Sequence, residues 1–140
     1  MYKIEKRFTL PIGHRLSKHK GRCFSIHGHN FSVLIGIKSE TLDDNDMVLD
    51  FSHLKAVVNG FLDTFDHCLV LNKCDTKLSN DLSSCGMRTL VVDHDPTAEK
   101  FSEIIYKEVE KTLCKLYSYI TMDYVTVYEN ENSKATYTED

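Results

Sequence analysis

"RCFSIHGHNFSVLIGIK", residues 22–38, places a cysteine and two histidines within seven positions and then runs into an alternating apolar stretch. Phe31, Val33, Ile35 and Ile37 share one parity, the period-2 pattern of a strand with one buried face. His27 and His29 have the same parity, so the two imidazoles sit on one face at the mouth of that strand. Two residues along a strand rise about 6.6 Å, close enough for both rings to converge on one ion.

Upstream, Tyr2, Ile4 and Phe8 alternate with Lys3, Glu5 and Arg7, which predicts a first strand over 2–10 and a loop over 11–26 opened by Pro11 and Gly13. A hairpin between the two strands brings His14 to His27 and His29. Three protein ligands with a fourth position open is the arrangement of catalytic zinc sites. A single histidine is usually an ordinary polar residue; a spaced pair with a third at the neighbouring strand end favours a metal. Nickel, iron and copper accept the same imidazoles, so zinc is inferred from a proton-transfer or hydrolytic role rather than from spacing. Cys23 has two readings: a fourth ligand closing a structural site, or a free thiolate beside an open metal, its pKa lowered by Arg22, Lys20 and the ion.

Downstream, "DDND" at 43–46 is a turn, and Ser52 is the expected cap of a helix whose stripe is Leu54, Val57, Val58, Phe61, Leu62 and Phe65. Asp66-His67 follows, either a reactive pair or simply a helix C-terminus where both residue types are at home. Residues 73–87 are polar and irregular, and "RTLVVD" at 88–93 has the makeup of a short extra strand. Thr97 caps a second helix with a stripe of Phe101, Ile104, Ile105, Val109, Leu113 and Leu116. Strands at 124–129 and 134–139 close the chain. Glu129 continues the apolar face of Val125 and Val127, at a solvated strand end or in a pocket. The predicted order is β-β-α-α-β-β, an α+β domain spanning 1–140 with an antiparallel four-stranded sheet and two helices on one face.

Composition narrows the classes. A net charge of −4 without a basic run argues against nucleic acid. No apolar run approaches the ~18 residues of a membrane span, and the N-terminus has no signal-peptide core, so the cytoplasm is expected. Five cysteines without a CxxC pair argue against a disulfide framework. The one basic concentration, "HRLSKHKGR" at 14–22, is a solvated loop or a site for a small anion.

"CFSIHGHNF" resembles the CxxxHGHN(Y/F) motif of the 6-pyruvoyltetrahydropterin synthase family, which includes the 6-carboxytetrahydropterin synthases of queuosine biosynthesis. "GHRL", "MVLDFSHLK", "FDHCLVLN", "PTAEKFS" and "VTVYEN" extend the resemblance over nearly the whole chain in the family's order. It implies a T-fold, a zinc held by His14, His27 and His29, Cys23 as catalytic base, Asp66 and His67 completing a proton relay, and Glu129 anchoring a pterin ring. Thr97 of "PTAEKFS" is counted with the substrate contacts, as are Arg15 and Lys20, which with Lys18 and Arg22 would face a triphosphate. The implied assembly is a homohexamer, two stacked trimers with active sites between subunits. The implied reaction is a lyase step on 7,8-dihydroneopterin triphosphate, giving 6-carboxytetrahydropterin with loss of acetaldehyde and triphosphate. The 6-pyruvoyl product is the enzyme alternative, and a structural zinc module the alternative of another class. The chain departs from the pattern at "LPIG" before His14 and in a longer link over 73–95.

Overall fold

In the computed structural model, which describes residues 1–139, β1 (Tyr2–His14) pairs antiparallel with β2 (His27–Ser39), from Tyr2 opposite Ser39 to His14 opposite His27. β1 is therefore longer than its alternation predicts, running through Pro11 and Gly13 rather than ending at Leu10. Pro11 has no N–H to give, but its carbonyl accepts the His67 N–H at 2.9 Å, and the Gly13 N–H donates to the Cys68 carbonyl at 2.9 Å. A second neighbour thus holds the end that the proline would otherwise weaken, and the connecting loop shrinks to residues 15–26.

The neighbour is β3 (Leu69–Asn72), followed by β4 (Thr89–Val92), β5 (Thr121–Asn130) and β6 (Ser133–Tyr137). The strand order is β4-β3-β1-β2-β5-β6, with β1/β3 and β3/β4 parallel and the other pairs antiparallel. The sheet is six-stranded and mixed, not four-stranded and antiparallel. β3 escapes a period-2 reading because all four of its residues are buried, leaving a continuous apolar run.

There are three helices instead of two. α1 (Phe51–Leu62) is capped by Asp50 rather than Ser52: the Asp50 carboxylate accepts the Ser52 N–H at 2.7 Å and its hydroxyl at 2.6 Å. α2 (Thr76–Ser84) occupies the polar stretch between β3 and β4. It lacks an apolar stripe; Ser79 and Ser83 instead bond the Thr89 hydroxyl, at 2.8 and 2.7 Å. α3 (Ala98–Leu116) is capped by Thr97, whose side chain accepts the Lys100 N–H. It buries Phe101, Ile105, Val109 and Leu113, while Leu116 is exposed. The observed order is β-β-α-β-α-β-α-β-β.

Phe8, Leu10 and Ile12 of β1, Phe31, Val33 and Ile35 of β2, and Val125 and Val127 of β5 share one buried cluster with α1 and α3. Each fully buried branched or aromatic side chain there contributes about 1.5–3 kcal/mol. On the alternate positions of these strands Glu5, Arg7, Ser32 and Tyr128 are polar and partly or fully exposed. No helix among the described residues is long and apolar enough to cross a membrane.

Gly36 marks the point where β2 changes register against β5, and the Tyr124 ring covers it: an added Cβ would stand 2.5 Å from a ring carbon. The Tyr124 hydroxyl donates to Glu5, which holds the ring in place. Gly36→Ala is expected to cost about 1–3 kcal/mol by overpacking, read from the urea midpoint at unchanged slope. The loss in the double variant with Tyr124→Ala should fall below the sum of the two single losses.

Candidate metal centre and active site

His14 ends β1 and His27 begins β2 directly opposite it, while His29 lies opposite Ile12, so all three rings share the buried face. Ring centroids are 4.5 Å apart for His14–His27 and 5.1 Å for both His14–His29 and His27–His29. The three ligating nitrogens lie within 4.8 Å of one another. Phe31 meets the rings of His14 and His29 edge-on from below, at 5.6 and 5.3 Å.

Two backbone carbonyls decide which way the nitrogens point. His14 Nδ1–H donates to the Pro96 carbonyl and His27 Nδ1–H to the Ser25 carbonyl, each at 2.7 Å. A carbonyl only accepts, so the proton is fixed on Nδ1 and the lone pair on Nε2. Both Nε2 atoms are buried without a hydrogen-bond partner. An unpaired buried acceptor costs about 1–3 kcal/mol; two such atoms aimed at a third imidazole are a donor set that fits a divalent transition metal.

Burial is the main reason the His14 imidazole is pushed down from its ordinary 6.5 to about 4, with the charges of His27 and His29 adding to it and the Pro96 carbonyl opposing it. At neutral pH His14 is in the unprotonated form that ligates. Cys23 is not part of the grouped ligand set. It lies half-buried in a short 3-10 turn, Arg22–Phe24, with its carbonyl accepting the Leu16 N–H at 2.9 Å.

Asp66 and His67 come to the same end of the sheet through the His67–Pro11 backbone bond. His67 has φ 54°, and its Nδ1–H donates to the Asp66 carboxylate at 3.0 Å; the two side chains are 78% and 43% exposed. His67 lines a depression of about 740 Å³ together with His27, Gly28, His29 and Met87.

Glu129 is half-buried on β5 with the parity of Val125 and Val127, whose partners are Ile35 and Val33. It lies one residue past the last β2–β5 pair, Ser32–Tyr128, at the irregularity in the β5–β6 pairing between Tyr128 and Asn130. Thr97 is half-buried and already occupied as the α3 cap. Arg15 donates from Nε to the Phe24 carbonyl and from its terminal nitrogen to Asp75, both at 2.8 Å, and its guanidinium lies 4.0 Å from the Phe24 ring centre. Lys20 is exposed in the loop.

Sequence reasoning passed over Asp75 and Asp95. Asp95 accepts the Ser17 and Lys18 N–H groups at 3.0 Å each and the Asn72 amide at 2.9 Å. Burial works against its ionisation, but the bonds from Ser17, Asn72 and Lys18 outweigh it and bring the carboxyl down to about 2.

The family model described as 6-pyruvoyl tetrahydropterin synthase matches residues 3–140. A 6-carboxy-5,6,7,8-tetrahydropterin synthase of Rickettsia felis is 31% identical over 111 residues, covering 78% of this chain and 80% of its own. The enzyme of the same name from Aquifex aeolicus is 28% identical over 160 residues, with 99% of both chains covered. Among solved structures, an uncharacterized protein of Wolinella succinogenes superposes with a TM-score of 0.83 at 19% identity, over 99% of this chain and 98% of the other. The Caenorhabditis elegans 6-pyruvoyl tetrahydropterin synthase gives 0.73 at 20% identity, over 99% and 96%.

The depressed His14 pKa makes the metal-free protein acid-sensitive. Below 6.5 the unfolded chain takes up a proton that the folded chain refuses until about 4, so stability falls through that window and levels off beneath it. The expected loss is about 3 kcal/mol, measured by denaturant unfolding of chelated protein across pH, and largely absent in His14→Gln. Metal analysis should show the ion lost in His14→Ala, His27→Ala and His29→Ala and kept in Cys23→Ala.

Proposed function

Because the chain belongs to the 6-pyruvoyl tetrahydropterin synthase family, we propose that it is a zinc-dependent 6-carboxy-5,6,7,8-tetrahydropterin synthase with a T-fold, a single domain over 1–140 acting in queuosine biosynthesis. The observation that carries the chemistry is the convergence of His14, His27 and His29 with two Nε2 atoms buried and unpartnered. The choice of product is supported by the relatives, which are named for the carboxy compound.

His14, His27 and His29 would hold the zinc, which when bound supplies Lewis-acid polarisation of the substrate's side-chain hydroxyls. Cys23 is the general base for the side chain of 7,8-dihydroneopterin triphosphate. Asp66 orients His67 through Nδ1, leaving Nε2 to give or take a proton. Glu129 accepts N–H groups of the pterin ring in charge-assisted bonds, and Thr97, at the head of α3, is counted with the substrate contacts. Of the basic residues in 14–22, Arg15 is engaged by Asp75, so the triphosphate charge falls to Lys18, Lys20 and Arg22. The family resemblance further implies a homohexamer with active sites completed between subunits. The sheet ends in two exposed edges, β4 and β6, that such an assembly would pair.

Purified zinc-loaded protein should convert 7,8-dihydroneopterin triphosphate to a carboxyl pterin with stoichiometric acetaldehyde and free triphosphate, all lost in Cys23→Ala. Mass spectrometry of the pterin and an acetaldehyde trap report independently. A pyruvoyl pterin without acetaldehyde would replace the product assignment, and a substrate left intact by loaded protein would end it. Light scattering at micromolar concentration should give six subunits, and a monomer would defeat the shared-site reading.

A further inference from the structure

The loop that carries Cys23, residues 15–26, contains no regular element beyond the 3-10 turn at Arg22–Phe24. Its own bonds are few: Leu16 N–H to the Cys23 carbonyl at 2.9 Å, His19 N–H to the Leu16 carbonyl at 3.0 Å, Gly21 N–H to His19 Nδ1 at 2.8 Å, and the turn itself. Left to these, a loop of this length would sample many conformations. Two carboxylates from outside it prevent that. Asp75, at the start of α2, takes the Arg15 guanidinium at 2.8 Å, and Arg15 in turn donates to the Phe24 carbonyl and stacks on the Phe24 ring. Asp95, after β4, takes the backbone N–H groups of Ser17 and Lys18. Both carboxylates belong to the β3–α2–β4 region, the link over 73–95 that is longer than the family pattern leads one to expect.

We infer that the β3–α2–β4 segment is the buttress of the Cys23 loop, and that Asp75 is a positioning residue for Cys23 acting through Arg15. The inference rests on the reading of Cys23 as the base of the proposed reaction. Arg15 spans the neck of the loop: it grips the carbonyl one residue beyond Cys23 with one nitrogen and reaches the inserted segment with another. A planar fork does this and an ammonium does not. The Arg15 and Asp75 side chains are only 18% and 12% exposed, so the pair is shielded from water and salt. Asp75 Oδ2 is buried without a partner, so Arg15 is what compensates this carboxylate. Removing either member leaves the other uncompensated, and the loop neck loses its tie. Arg15 is accordingly part of the frame of the site and not a contact for the triphosphate.

The test compares Asp75→Ala, Asp75→Asn, Asp75→Glu and Arg15→Lys with wild type, and uses Asp81→Asn, which removes an exposed carboxylate from the same helix, as the control. In Asp75→Ala, hydrogen exchange at Leu16, Phe24 and Ser25 should accelerate about tenfold, with exchange in β1 and β2 unchanged. Alkylation of Cys23 by iodoacetamide, followed by peptide mapping, should speed up because the half-buried thiol opens. Turnover should fall about tenfold or more with KM within about twofold, since a base displaced by an ångström loses rate rather than binding. Asp75→Asn should fall between, Asp75→Glu should recover part of the loss, Arg15→Lys should match Asp75→Ala, and the Arg15→Lys, Asp75→Ala pair should be no worse than the poorer single variant. Zinc content should stay at the wild-type value throughout. Unchanged exchange and alkylation in Asp75→Ala would overturn the inference, and so would loss of zinc, which would place the effect on His14. Exchange and alkylation need no pterin, so they decide the inference even if the wild-type protein proves inactive on that substrate.

Discussion

The last rung of the β1–β2 ladder, where His14 faces His27, is the constraint on which the site depends. Side chains alternate along both strands, so a slip of one residue would send His27 and His29 to the opposite face from His14. Against that slip stands the whole buried face of the ladder, with Phe8, Leu10 and Ile12 set against Val33, Phe31 and His29. The glycine between the two histidines has its own reason. Gly28 lies across from Gly13, and an added Cβ at Gly28 would come within 3.1 Å of the Ile12 carbonyl, so the strand ends approach closely only because neither rung residue carries a side chain there.

Register brings the rings together, and more distant backbone turns them. The Pro96 carbonyl that fixes His14 belongs to the segment leading into α3, and the cap that starts α3 is Thr97, the next residue. The preceding residue, Asp95, is bonded to Ser17, Lys18 and Asn72. Three consecutive residues thus tie a ligand, a helix start and a loop to one another. Secondary support of this kind sets tautomer and ring orientation in metal sites, and here it comes from a segment more than eighty positions away in the chain.

Much of this was legible from the sequence because the signals are local. The parity of His27, His29 and Phe31 is a property of one strand, and the parity of Leu10 and Ile12 extends to His14 once β1 is known to continue. The stripe of α3 from Phe101 to Leu113 is likewise read directly. What stayed hidden has physical causes. β3 is short and buried on both faces, so it does not alternate, whereas β4 falls within the short extra strand expected over 88–93. α2 is held by serine hydroxyls on Thr89 instead of an apolar stripe, which makes it look like a loop. Asp50 displaced Ser52 as the α1 cap because a carboxylate two residues earlier reaches both the Ser52 N–H and its hydroxyl. Asp75 and Asp95 act on residues 60 and 78 positions away in sequence, and no window of the chain contains both ends of either interaction.

His67 holds a left-handed backbone at φ 54°, a conformation that glycine and asparagine enter easily and a bulky side chain does not. Such strain costs on the order of 1–3 kcal/mol. His67 makes no compensating burial, since its side chain is mostly in water. Selection for folding alone would therefore carry this position towards asparagine or glycine. On the role proposed for His67, stabilising the protein by substitution at this turn and preserving its chemistry are opposed aims, so a variant library sorted on thermal tolerance would exchange this histidine early.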